Sequence, residues 1–283
     1  MRIIITILAI SIIANVIGLA VAYKYLKTKR QLDRITGSLI QTRAEYNKQF
    51  GKQLLFIHHS VGENWLNEGG LKDSLAGLGV GVHSVTYGSD IGQDTDMSDW
   101  VSKFNRYFEK MLKYDIKPDI LYPGDMENDI IMFKPCFPNS DIGAEGTPPG
   151  NPLEKDRTVW NYKSVFAHLK EQFSKAPGKS FIYVTAPPLV PTETSVENAN
   201  RAREFNDWVK NDFVADYMKR TGMENFRVFD LFDILADSSN CLQPAYRRSE
   251  TNSHPNANGS REATGRFLQF LRENDLLKPE RAQ

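Results

Sequence analysis

Cysteine is scarce in this chain: Cys136 and Cys241 are the only two among 283 residues. Two thiols cannot build a disulfide framework or a four-thiolate zinc site, and one optional disulfide does not identify a redox compartment. An excess of either charge is missing too, with 35 basic and 35 acidic side chains and no basic block in the body of the chain. That balance argues against a nucleic-acid partner. Neither Gly-x-Gly-x-x-Gly nor a complete Walker-type Gly-x-x-x-x-Gly-Lys-Ser/Thr occurs, so no cofactor is implied. The same holds for His-Glu-x-x-His and Cys-x-x-Cys, which leaves no sequence support for a metal. Gly-x-Ser-x-Gly is also absent, which disfavours the ordinary α/β-hydrolase fold.

Charge disappears from residues 3–23, where Thr6, Ser11 and Asn15 are the only clearly polar side chains. The roughly 20 residues needed to cross a bilayer as a helix are present, so 1–23 is expected to be a transmembrane anchor. A cleaved secretory signal is the rival, with Ala20-Val21-Ala22 imitating a cleavage site, but the run exceeds the usual apolar core of about 7–15 residues. Lys24, Lys27, Lys29, Arg30 and Arg34 follow the span, against Arg2 and the amino terminus before it. The positive-inside rule then places the rest of the chain in the cytoplasm; translocation of a long domain against local charge is the alternative. Residues 24–50 carry a weak apolar stripe of Leu26, Leu32, Ile35, Leu39 and Ile40 and read as a helical stalk.

From residue 51 the chain alternates between two periodicities. Short apolar runs at 53–57, 81–87, 129–133, 180–185 and 226–229 suit buried parallel strands. Helical spacing fills the intervals at about 64–78, 98–113, 159–175 and 197–220, and a last helix covers about 260–273. Strand–helix alternation predicts one α/β domain over 51–283, a parallel sheet with helices on both faces. In such sheets, loops leaving the carboxyl ends of strands carry the chemistry.

Reactive residues stand on those loops. The first strand ends in His58-His59-Ser60-Val61-Gly62, where a serine at a strand-to-helix turn is either a nucleophile or a helix cap. The second leads to Tyr87-Gly88-Ser89-Asp90-Ile91-Gly92-Gln93-Asp94-Thr95, with Gly92 either a turn residue or a bare N–H facing a substrate oxygen. The third runs into Lys134-Pro135-Cys136-Phe137-Pro138-Asn139, where Asn139 is either an Asx-turn residue or an amide donor to developing negative charge. Cys136 has no sequence neighbour that would lower its pKa. Late in the chain, Ser253-His254-Pro255-Asn256 precedes the last helix, placing an imidazole where it can reach the first strand's serine. His58, His59, His254, Asp90, Asp94 and Asp96 invite a metal site, but adjacent histidines on a strand point to opposite faces.

Together the four loops resemble the blocks of the SGNH (GDSL-like) hydrolase superfamily, with Ser60, Gly92, Asn139 and His254 in the order of its name. The resemblance implies a three-layer, flavodoxin-like α/β/α fold over about 51–273. It also implies a serine esterase that forms an acyl-enzyme, its oxyanion held by the N–H groups of Ser60 and Gly92 and the Asn139 amide. Two departures stand out. His58-His59 replaces the family's Gly-Asp before the serine. Thr251 occupies the position three before the histidine, where the family has its acid, leaving Glu250 as substitute acid or a Ser–His dyad without one. The implied substrate is an ester, an O-acyl group on a carbohydrate. A polysaccharide O-acyltransferase and a catalytically silent binding domain are the alternatives.

Overall fold

The structure is a computed structural model that describes the backbone of residues 2–116, 120–121 and 126–277. The chain divides into two units, 1–48 and 49–283. The first is a single helix, α1 (Arg2–Asn47). It runs without a break from the expected anchor into the expected stalk and ends three residues before the stalk's expected limit at 50. Side chains 2–17, most of the expected span 3–23, lie outside the described residues. Among the described residues no helix is long and apolar enough to cross a membrane.

The second unit is built on a five-stranded parallel sheet. Its strands are β1 (Lys52–Ile57), β2 (Val80–Val85), β3 (Ile130–Phe133), β4 (Ser180–Val184) and β5 (Phe226–Phe229), in the spatial order β2-β1-β3-β4-β5. This is the flavodoxin-like order, in which the chain reverses direction across the sheet beside its first strand. The strands are apolar runs because both faces are covered. Leu55, Ile57, Ile131, Phe133, Phe181 and Tyr183 feed one core; Leu54, Phe56, Ile130, Met132, Ile182 and Val184 feed the other. That alternation is the period-2 geometry of a strand sorting neighbours to opposite sides.

Helices α4 (Trp100–Lys113), α5 (Val159–Ser174) and α6 (Val196–Trp208) close the first core. From α6 the chain passes through a π-turn, Val209–Phe213, into α7 (Val214–Thr221). The second core lies under α2 (Ser60–Asn67), α3 (Leu71–Gly77), α8 (Leu231–Leu235) and α9 (Ala257–Glu273). Where periodicity predicts one helix over 64–78 there are two, because Gly70 adopts φ +67° between them and breaks the first. A polar antiparallel hairpin, β6 (Arg247–Ser249) and β7 (Asn252–Pro255), precedes α9.

Candidate active site

Strand β1 ends at Ile57, and α2 begins only three residues later at Ser60. The sheet continues briefly past it: His58 N–H donates to the Val85 carbonyl and Lys134 N–H to that of Ile57. Ser60 is therefore held by the sheet below and by α2 above. Trp65 on α2 fixes the helix, stacking on Phe229, meeting Phe56 and Phe267 edge-on, and donating its indole N–H to Thr264 Oγ1 of α9 at 3.1 Å.

The imidazole comes from β7. Ser253 anchors that strand: its hydroxyl accepts the Val190 N–H at 3.0 Å and donates to Glu193 at 2.5 Å. Asn256 caps α9 immediately afterwards, accepting the N–H groups of Asn258 and Gly259. Between these two fixed points His254 projects its Nε2 to 2.8 Å from Ser60 Oγ, across 194 residues of sequence. Both residues are half-buried. The edge of Phe137 packs on the imidazole with centroids 4.9 Å apart.

The other ring nitrogen corrects the expected acid. His254 Nδ1 lies 2.8 Å from Asn252 Oδ1, while Glu250 is exposed and pairs with Arg247 at 2.9 Å. The backbone N–H of His254 also donates to Asn252 Oδ1, at 3.0 Å. An N–H needs an acceptor, so this bond orients the amide with its oxygen toward the ring. Nδ1 is then the protonated nitrogen, and Nε2 offers its lone pair to the serine. Glu250 misses the ring because the tight turn between β6 and β7 carries it to the solvent side of the hairpin. Burial, followed by the charges of Arg248 and Lys134, holds the His254 pKa below its ordinary value, against an opposing pull from Glu193.

The expected oxyanion donors are engaged elsewhere. Gly92 N–H donates to Ser89 Oγ at 3.0 Å. A Cβ there would collide with the Thr86 backbone, so glycine is needed for the close approach of two loop segments. Both amide hydrogens of Asn139 are used, on Asp96 at 2.8 Å and the Cys136 carbonyl at 3.0 Å. Its oxygen accepts from Met97 N–H and Tyr162 Oη. Asn139 is thus a buried tie between two loops. A cavity of about 350 Å³ opens behind it, lined by Asp94, Asp96, Asp99, Arg157 and Tyr162 among others, but neither Ser60 nor His254 lines it. The third expected donor, the Ser60 N–H, lies at the start of α2 near the Tyr87 hydroxyl.

The two histidines before the serine diverge. His58 is buried against Phe56 and bonds Ser84 Oγ at 2.8 Å. Gly62 is a glycine because a Cβ would strike the His58 ring. His59 turns the other way, its ring stacked on Tyr87 at 3.9 Å. Lys134 is fully buried, donates to the Pro135 carbonyl at 2.6 Å, and has its pKa lowered by burial to about 8. Its ammonium has no acidic partner among the described residues. Sequence reasoning missed Asn252, Tyr87 and Lys134 as site residues; an isolated lysine directly after an apolar strand was the one available signal. Among the described residues no group of three or more His, Cys, Asp or Glu is arranged to hold a metal.

A parallel β2-β1-β3-β4-β5 sheet with a serine–histidine pair at its carboxyl edge defines an α/β protein equipped for nucleophilic chemistry. The chain matches no family model and no curated protein. Solved structures to which it is similar include a GDSL-like lipase from Bacteroides thetaiotaomicron, at TM-score 0.47 and 11% identity, covering 83% of this chain and 97% of that one. A proposed acylhydrolase from Bacteroides fragilis aligns at TM-score 0.46 and 16% identity, covering 84% and 97%. A proposed lipolytic protein of the G-D-S-L family from Desulfitobacterium hafniense aligns at 0.43 and 15%, covering 77% and 98%.

Proposed function

We propose that this chain is a serine esterase of the SGNH (GDSL-like) type, with Ser60 as nucleophile, His254 as base and Asn252 as the residue that orients the base. The observation that carries the reading is the chain of contacts from Ser60 Oγ through both ring nitrogens of His254 to Asn252 Oδ1. Nucleophile, base and orienter each lie within hydrogen-bond reach of the next. Ser60 Oγ attacks the acyl carbonyl and its proton passes to Nε2. The ester C–O bond then breaks and His254 gives that proton to the departing alcohol; water, losing a proton to the freed Nε2, attacks the acyl-enzyme, and the proton returns to Ser60 Oγ as the acid leaves. The carbonyl oxygen is received at the Ser60 N–H, at the start of α2, in the place the Tyr87 hydroxyl now holds.

A neutral amide stabilises an imidazolium less than a carboxylate does. The low pKa of His254 fits that arrangement, because the resting base is kept neutral and ready. The substrate class is an O-acyl ester of a carbohydrate, a choice that rests on the resemblance of the sequence blocks. The catalytic unit is held at a membrane by residues 3–23, on the cytoplasmic side. An alkaline phosphatase fused to the C-terminus in a bacterial host should therefore be inactive, and an active fusion reverses the orientation.

Purified protein should hydrolyse p-nitrophenyl acetate and take up a fluorophosphonate on Ser60. Ser60→Ala should abolish both. A folded protein that does neither refutes the esterase reading, and acyl transfer to an added saccharide in preference to water would make it an acyltransferase.

A further inference from the structure

A second nucleophile–base contact lies beside the first. Cys136 Sγ is 3.3 Å from His59 Nδ1, and His59 Nε2 is 2.8 Å from the Gly92 carbonyl. A carbonyl only accepts, so Nε2 carries the ring proton and Nδ1 presents its lone pair to the thiol. The thiol is half-buried, whereas Cys241 is buried. Geometry connects this pair to Ser60 on two sides. Tyr87 stacks on His59 and reaches Ser60 with its hydroxyl, and Phe137, next to Cys136, packs on His254.

We propose that Cys136 and His59 form a thiol-modification site beside the Ser60–His254 pair, one that takes low-molecular-weight disulfides and, when occupied, blocks chemistry at Ser60. The blocking half rests on the esterase reading; the thiol chemistry does not. In the reaction His59 Nδ1 accepts the thiol proton and Cys136 Sγ attacks one sulfur of the disulfide. A new S–S bond forms as the old one breaks, and the departing thiolate takes the proton from His59. Burial lowers the pKa of His59, so the ring is neutral and able to accept that proton at pH 7. The buried Lys134 ammonium, two residues before the thiol, adds positive charge that interacts with Cys136.

The test treats the full chain with 5,5′-dithiobis(2-nitrobenzoate) and follows release of the coloured thiolate. One fast equivalent is expected, mapped to Cys136 by mass spectrometry and absent in Cys136→Ser. In His59→Gln, which can still donate to Gly92, the rate should fall at least about 100-fold, the low end of what a positioned base contributes. Ser60→Ala should still release one fast equivalent from Cys136, which separates this test from the esterase. A fast equivalent at Cys241, or an undiminished rate in folded His59→Gln, overturns the site. If His59→Gln does not fold, the native thiol must still outpace the same thiol in urea-unfolded chain at pH 7, and a slower native rate overturns it. Protein thiolated at Cys136 should lose p-nitrophenyl acetate hydrolysis and regain it with dithiothreitol, and undiminished hydrolysis refutes the blocking. A wild-type chain that hydrolyses no ester removes the blocking half together with the esterase reading, leaving the thiol chemistry to the first measurement.

Discussion

His254 takes its tautomer from an amide oxygen, and two hydrogen bonds to that one oxygen make the arrangement work. Asn252→Ala frees the ring and should lower kcat/KM by up to about 10⁴-fold, the loss seen when a base is left in the wrong tautomer. Glu250→Gln touches an exposed ion pair and should change kcat/KM by less than about twofold. The acidic limb of the pH profile distinguishes orientation from packing. His254 must be neutral to accept the serine proton, and its pKa is held below the ordinary value. The midpoint should therefore fall below about 6.5. Asn252→Asp places a carboxylate on Nδ1, favours the imidazolium, and should move the limb to higher pH. An unmoved limb in the Asp variant would show that residue 252 does not face the ring in solution. Ser60 and His254 were legible because each sits at a junction with a recognisable local pattern, a strand-to-helix turn and a rigid pre-helix loop. Asn252 was not, since its place on Nδ1 depends on the pitch of a two-strand hairpin.

At the scale of elements, α2 is the lever that sets the serine, and α9 is its seat. Trp65 is buried between the sheet and α9, so Trp65→Ala should cost about 3–5 kcal/mol. Urea titration should show the midpoint falling at unchanged slope. Gly69 permits the close approach of α2 and α9: a Cβ there would lie 2.5 Å from the Trp65 carbonyl oxygen and 2.8 Å from that of Ser260. Gly69→Ala should cost about 1–3 kcal/mol through that overlap. It should also lower esterase activity in the fraction that remains folded, because the helix carrying Ser60 must shift. The five sheet strands and the larger helices were legible, since each buries an apolar face with its own period. The β6–β7 hairpin was not: Arg247–Ser249 and Asn252–Pro255 carry no apolar run and pair only with each other.

Over the whole α/β unit, stability should carry the signature of two buried lysines. Burial lowers both Lys103 and Lys134 to about 8, whereas the unfolded chain keeps them near 10.4. Between those values the unfolded state binds more protons, so stability rises with pH from about 8 to 10. Above about 10 the trend reverses, because burial raises the pKa values of Tyr162 and Tyr183 while unfolded tyrosines ionise. Thermal melts across pH 7–11 should show that maximum. Lys134→Met should flatten the rise and stabilise the protein at pH 7 by up to roughly 3 kcal/mol, the cost of keeping this charge buried without a carboxylate. A melting temperature that falls steadily from pH 8 to 10 would contradict buried, charged lysines.

Sequence alone determined the strand order in time, the helices between strands and the two residues that meet at 2.8 Å, because period and junction chemistry are local. It could not decide which polar groups on the loops are used up. Gly92 and Asn139 have the right types in the right order, yet their donors are consumed by Ser89, Asp96 and the Cys136 carbonyl. Nor could it show that Cys136 has a base, since His59 lies 77 residues away. Hydrogen-bond satisfaction is a property of the packed whole, settled only when distant loops compete for the same donors at the carboxyl edge of the sheet.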